Sequence, residues 1–160
     1  MKIHSIEELL RTHPFFNGMT NEAMDQIVGC GRNIVFKKDS FLAREGKAAD
    51  QFYVIRSGKV AVEIHATGKN LCVQTAGQGE VVGWSWLFPP HQWTFDVRAI
   101  EETHVIALDG KCLRNKCEAD PKLGYALMKR FAGILVQRLS ATRMQLLDIY
   151  GTKAKGAFGS

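Results

Sequence analysis

Residues 45–60 read Glu45-Gly46-Lys47-Ala48-Ala49-Asp50-Gln51-Phe52-Tyr53-Val54-Ile55-Arg56-Ser57-Gly58-Lys59-Val60, and the reading of this stretch decides the fold. Gln51 to Ile55 is a β-prone run held between two glycine turns, at Gly46 and Gly58. Val60-Ala61-Val62-Glu63-Ile64 follows at once, so two strands meet across Gly58. Lys59 to Ile64 alternates, which predicts one wet face for that strand.

The same grain repeats outward. Ile34-Val35-Phe36 and Phe41-Leu42-Ala43 precede the stretch. Leu71-Cys72-Val73-Gln74-Thr75, Val81-Val82, Phe95-Asp96-Val97-Arg98-Ala99 and His104-Val105-Ile106-Ala107-Leu108 follow it. Eight short runs with turns between them predict a mainly β chain with flanking helices, built on an eight-stranded, jelly-roll-like β-roll over 33–108.

Residues 1–32 read as short helices. Ser5 with Glu8 three residues on forms a capping box, His13-Pro14 is a break, and Thr20 opens a second helix. Residues 110–150 are helical again. Lys111 to Ala119 is a short helix, and Asp120-Pro121 supplies a capping acid and a first-turn proline. The helix it opens should run to about Tyr150, roughly 30 residues or about 45 Å. The expected organisation is one domain over 1–150, with a disordered Gly/Lys/Ala-rich tail at 151–160.

Two apolar stripes run along that helix. One is Leu127, Phe131 and Ile134. The other, Tyr125, Met128, Ala132, Leu135, Leu139, Thr142, Leu146 and Ile149, is spaced three and four apart in alternation. A surface helix needs one apolar face, so the second predicts a homodimer seam through Met128, Leu135, Leu139 and Leu146.

Composition narrows the class. The chain has 160 residues, 46% hydrophobic and 23% charged, as a globular domain does. No run approaches the ~20 apolar residues of a membrane helix, and the start carries no secretory pattern, so the expected compartment is the cytoplasm. A net charge of +5 favours anions without choosing among them. The four cysteines, Cys30, Cys72, Cys112 and Cys117, contain no CxxC. The Cys112–Cys117 spacing is poor for zinc, and reduced, partly buried thiols are expected. The five histidines contain no HxH pair, and no acid–base pair or nucleophile triad has usable spacing. A jelly-roll metalloenzyme is therefore disfavoured, and no metal or cofactor is expected.

The stretch 45–60 resembles the signature of cyclic-nucleotide-binding domains, the family of catabolite activator proteins, kinase regulatory subunits and gated-channel cytoplasmic domains. Gly46 and Gly58 match its turns. Ala76-Gly77-Gln78-Gly79-Glu80-Val81-Val82-Gly83 resembles its next stretch, and His13-Pro14-Phe15-Phe16 with Gly18 its entry motif. The resemblance spans about residues 6–149. It implies a ligand site at 83–99, where a short helix start, a glutamate and an arginine hold a cyclic phosphate and its ribose. Gly83, Trp84 and Ser85 stand at the amide-rich helix start, and Thr94 matches a hydroxyl residue on the phosphate. Trp84 stands where the family has the glutamate, and Trp93 where it has the arginine. Arg98 matches a separate position outside the phosphate contact. Arg138 and Thr142 match residues of the long helix that meet the base.

Losing the guanidinium–phosphate contact should weaken a micromolar site towards millimolar. The expected function is a non-enzymatic sensor or regulatory module whose phosphate cassette is degenerate and binds cAMP and cGMP weakly or not at all. Trp84, Trp86, Phe88 and Trp93 either fill the old pocket or line one for another small molecule. A regulatory protein partner, an ordinary cAMP sensor and a regulator acting on DNA through a partner chain are the other readings. The 160 residues leave no room for the winged helix-turn-helix of the bacterial regulators, so sequence-specific DNA binding by that route is not expected.

Overall fold

The computed structural model describes residues 5–158, with side chains described to Gly151. Helix α1 (Ile6–Thr12), a 3-10 turn (Pro14–Phe16) and α2 (Asn21–Val28) lead into β1 (Gly31–Phe36). Then come β2 (Phe41–Ala43), β3 (Gln51–Ser57), β4 (Lys59–Ala66), β5 (Lys69–Gly77), β6 (Val81–Val82), β7 (Asp96–Ala99) and β8 (Thr103–Asp109). Helices α3 (Gly110–Ala119) and α4 (Pro121–Phe158) follow. Among the described residues, each of the eight expected runs is a strand.

The helix starts form where the sequence places their caps. Ser5 Oγ accepts from the Glu8 amide at 3.1 Å, and Thr20 Oγ1 from the Ala23 amide at 3.2 Å. Asp109, not singled out in the sequence, caps α3 through the Cys112 amide at 2.9 Å. Each satisfies an amide that the first helical turn leaves unpaired.

The strands form two antiparallel four-stranded sheets, ordered β1-β8-β3-β6 and β2-β7-β4-β5. Consecutive strands β3 and β4 lie in different sheets, so the chain changes sheet at Gly58. There φ is +94°, and a Cβ would lie 2.5 Å from the Glu102 carbonyl oxygen and 2.6 Å from Thr103 Cα. Only glycine fits both the dihedral and the space. Between the sheets sit Tyr53, Ile55, Val60, Val62, Val97 and Val105.

Strand β4 corrects the expected wet face: Val60, Ala61, Val62 and Glu63 are all buried. It runs between β5 and β7, and on its polar side Arg98 closes over Glu63. The Arg98 guanidinium donates to both Glu63 oxygens, at 3.0 and 3.4 Å, and to Asp39 at 2.8 Å. A buried carboxylate tied to a guanidinium is tolerated where a lone one is not.

Cys30 and Cys112, expected as free thiols, are joined in a disulfide, with their Cα atoms 6.0 Å apart. The end of α2 and the first turn of α3 come together although 82 residues separate them in sequence. Cys72 is exposed and Cys117 partly buried, both unbonded.

The chain divides into two compact units, Met1–Gly124 and Tyr125–Ser160. A helix satisfies its own backbone, so α4 beyond Gly124 holds together by itself. It also runs to Phe158, through most of the tail expected to be disordered. Lys153, Ala154, Lys155 and Ala157 are good helix formers, and no proline interrupts them. Residues 159–160 lie outside the described residues. No described helix is long and apolar enough to cross a membrane.

His13 braces the entry segment. Its Nδ1 accepts from the Phe15 amide at 3.2 Å, which places the proton on Nε2, and Nε2 donates to the Ile55 carbonyl at 3.2 Å. Burial pushes the His13 pKa below its usual value. The unfolded chain therefore takes up this proton first as pH falls through about 6.5. His13 contributes stability that is complete above that pH and is lost as pH drops towards the lower folded-state pKa. Urea midpoints should fall between pH 7.5 and 5.5, and His13→Gln, though less stable overall, should show a smaller fall.

Candidate functional site: the Gly83 turn and the Trp93 wall

Beyond β6 the chain turns at Gly83, where φ is +103°. The next residues do not form the expected helix start. Trp84 and Ser85 enter a turn in which the Leu87 amide donates to the Trp84 carbonyl at 3.0 Å and the Phe88 amide to Ser85 at 3.4 Å. Pro89 and Pro90 follow immediately, and proline lacks the amide needed to propagate a helix. The amides at Gly83, Trp84 and Ser85 thus have no helix dipole behind them.

Residues 91–93 return alongside the loop after β2. The Trp93 amide donates to the Lys47 carbonyl at 2.9 Å, the Gly46 amide to the Trp93 carbonyl at 2.8 Å, and the Ala49 amide to His91 at 2.7 Å. Trp93 and Phe95 are buried, and Thr94 between them is exposed. Thr94 was expected on the phosphate; it faces solvent while its two neighbours face inward.

The Trp93 indole stacks on Tyr53 with ring centroids 6.3 Å apart and meets Phe95 edge-on at 6.1 Å. Trp84 meets Phe95 edge-on at 5.7 Å. A Cβ at Gly83 would lie 2.6 Å from Trp93 Cη2, so the indole rests on the bare α-carbon of the turn. Of the aromatic residues singled out in sequence, Trp84 and Trp93 form this wall. Trp86 is fully buried in another cluster, stacked on Phe52 at 5.2 Å, and its carbonyl accepts from Arg114 at 2.5 Å. Phe88 is exposed.

An open cavity of about 360 Å³ borders Trp93, lined by Phe41, Arg44, Lys47, Asp50 and Tyr53 among others. The sequence reading missed Arg44 and Lys47. They are ordinary loop cations in the sequence, and only the pairing of 46–49 with 91–93 brings them beside Trp93.

Arg138 and Thr142 lie on α4 in the second unit, where the Thr142 hydroxyl donates to the Arg138 carbonyl at 2.9 Å. Along α4 the two stripes differ in exposure. Leu127 and Phe131 are buried, whereas Met128, Leu139, Leu146 and Ile149 are exposed and Leu135 is half-buried.

Two antiparallel four-stranded sheets with a glycine-led turn after β6 define a β-roll. Residues 33–120 match the family model described as "Cyclic nucleotide-binding domain". The chain belongs to the cyclic nucleotide-binding domain family. It is 24% identical over 152 residues to the CRP-like cAMP-activated global transcriptional regulator of Mycobacterium tuberculosis, covering 94% of this chain and 66% of that protein. The chain therefore spans just under two thirds of that relative's length. The crystal structure of a putative cyclic nucleotide-binding protein from Geobacter metallireducens superposes with a TM-score of 0.74 at 27% identity, covering 86% of this chain and 99% of that one. A cyclic nucleotide-binding domain from Methylobacillus flagellatus shares the fold, with a TM-score of 0.77 at 20% identity over 89% of this chain and 83% of that one.

Gly83→Ala should cost about 2–4 kcal/mol in chemical denaturation, through dihedral strain plus the clash with Trp93. In a Trp93→Phe background the clash is relieved while the strain persists, so the same substitution should cost clearly less. Equal costs in both backgrounds would show that the indole does not rest on Gly83.

Proposed function

We propose that this chain is a non-enzymatic, cytosolic regulatory module of the cyclic nucleotide-binding type whose phosphate position is filled by its own Trp93. The observation carrying this reading is the indole seated on Gly83, at the position where the family resemblance implies an arginine. Trp84 stands at the position of the ribose-binding glutamate. An indole and a buried aromatic wall offer a cyclic phosphate neither charge nor space, and desolvating the phosphate there would go uncompensated. The M. tuberculosis relative is cAMP-activated by its name; this chain keeps the fold and lacks that contact pair. Isothermal titration with cAMP and cGMP should show no binding up to about 1 mM. Micromolar binding by either nucleotide would overturn the reading.

A second reading has one observation in its favour. The 360 Å³ cavity combines aromatic walls with Arg44 and Lys47, which suits a planar anionic ligand other than a cyclic nucleotide.

The module acts as a homodimer through α4. Its exposed apolar residues Met128, Leu139, Leu146 and Ile149 all fall on the stripe Met128, Ala132, Leu135, Leu139, Thr142, Leu146 and Ile149, whose steps alternate four and three, the spacing of a two-helix seam. Leu139→Glu should give monomers in light scattering where the unchanged protein gives dimers. A dimer that persists would place the interface elsewhere.

A further inference from the structure

We propose that Cys30 and Cys112 are a redox-modification site: a dithiol that a low-molecular-weight disulfide of the glutathione class oxidises, locking α3 onto α2. The bond lies within the first unit and is independent of the nucleotide pocket.

The frame that brings the two sulfurs together is built without the bond. The Asp109 amide donates to the Cys30 carbonyl at 2.9 Å. Lys116 Nζ donates to the Gln26 carbonyl at 2.6 Å, and Gln26 Nε2 donates to Asp120 at 2.9 Å. These contacts tie α2 to both ends of α3. The reduced cysteines therefore stay close, and closing the bond costs little further ordering. The Cα separation of 6.0 Å falls in the range a disulfide requires.

The sulfurs are also reachable. Cys30 and Cys112 line an open cavity of about 420 Å³ that Arg32, Gln51 and Asp109 share. That volume suits a small molecule, and Arg32 supplies a cation for the carboxylates of a glutathione-type reagent. Asp109, the opposing charge, already accepts from the Cys112 amide as the cap of α3.

The two cysteines divide the chemistry. Cys112 is the more exposed and sits in the first turn of α3, at the positive end of that helix's dipole. Cys30 is only 7% exposed. The Cys112 thiolate attacks one sulfur of the small disulfide, and a mixed disulfide forms as the first small thiolate leaves. The Cys30 thiol loses its proton and attacks the Cys112 sulfur, which expels the second small thiolate. Two electrons pass from the protein dithiol to the small disulfide, and the two thiol protons end on the two released thiols. Cys117 differs: burial, together with Asp120 and Glu118, pushes its pKa up, which keeps it a thiol.

The test equilibrates the whole chain in mixtures of reduced and oxidised glutathione, followed by acid quenching, alkylation and mass mapping. Cys30 and Cys112 should convert together in one two-electron step as the mixture becomes oxidising. Cys30→Ser should trap glutathione on Cys112, and Cys112→Ser should trap far less on Cys30. Reduction of the unchanged protein should lower Tm by roughly 5–15 °C, with no such response in either variant. A bond that stays closed in excess reduced glutathione would make it a permanent crosslink and overturn the proposal. Cysteines that stay alkylatable in oxidised glutathione would overturn it as well.

Discussion

The corner at Gly58 is the constraint on which the roll depends. Strand β3 belongs to one sheet and β4 to the other, and the chain passes between them within one residue. It can do so only because Gly58 takes a positive φ and presses against the backbone of Glu102 and Thr103. Thr103 completes the corner: it is fully buried, and its hydroxyl oxygen accepts from the Lys59 amide at 3.2 Å. Threonine serves here because its hydroxyl replaces the ladder partner that the sheet change removes from Lys59. With β3 and β4 fixed in separate sheets, β8 and β7 pair beside them and the interior between the sheets is defined.

The seating of Trp93 follows from register. Once the Trp93 amide and carbonyl pair with Lys47 and Gly46, the register of that contact sets which side chains face inward. Trp93 and Phe95 go in and Thr94 goes out. A shift of one residue would reverse this, exposing two aromatic rings and burying a hydroxyl, which burial energetics strongly disfavours. The identity of residue 93 therefore sets what occupies the floor beside Gly83. With tryptophan there, the apolar surface that stabilises the roll is the same surface that, in the function proposed above, fills the phosphate position.

The sequence carried the strands, the caps and the glycine corners because each is written in local spacing. Ser5, Thr20 and Asp120 are read within three or four residues of the helices they start. Glu63 was misread because its burial depends on Arg98, 35 residues away and across a strand pair. The Cys30–Cys112 bond has no local signal: neither cysteine lies in a motif, and the packing of α2 on α3 alone makes them neighbours. The turn at 83–88 was misread for a different reason. The family resemblance implies a helix start there, and the local signal of Pro89 and Pro90 opposed it. Of the site residues, Gly83, Trp84 and Trp93 were legible as positions, while which of them face each other depended on the pairing of 91–93 with 46–49.

The long helix poses its own problem of burial. A single apolar stripe would let α4 leave its other faces in water at no cost, but α4 carries two. Leu127 and Phe131 are buried, yet Met128, Leu139, Leu146 and Ile149 are not. Burying a side chain of this size is worth about 1.5–3 kcal/mol, so a seam of four per chain has a substantial driving force against the entropy of association. The surface that covers it must be equally long and must repeat every three and four residues. A second copy of α4 meets both requirements, and two-fold symmetry makes the match automatic, because each seam residue meets its own counterpart or that of its neighbour. In the proposed homodimer, any change in how α4 is held is therefore felt by both chains at once.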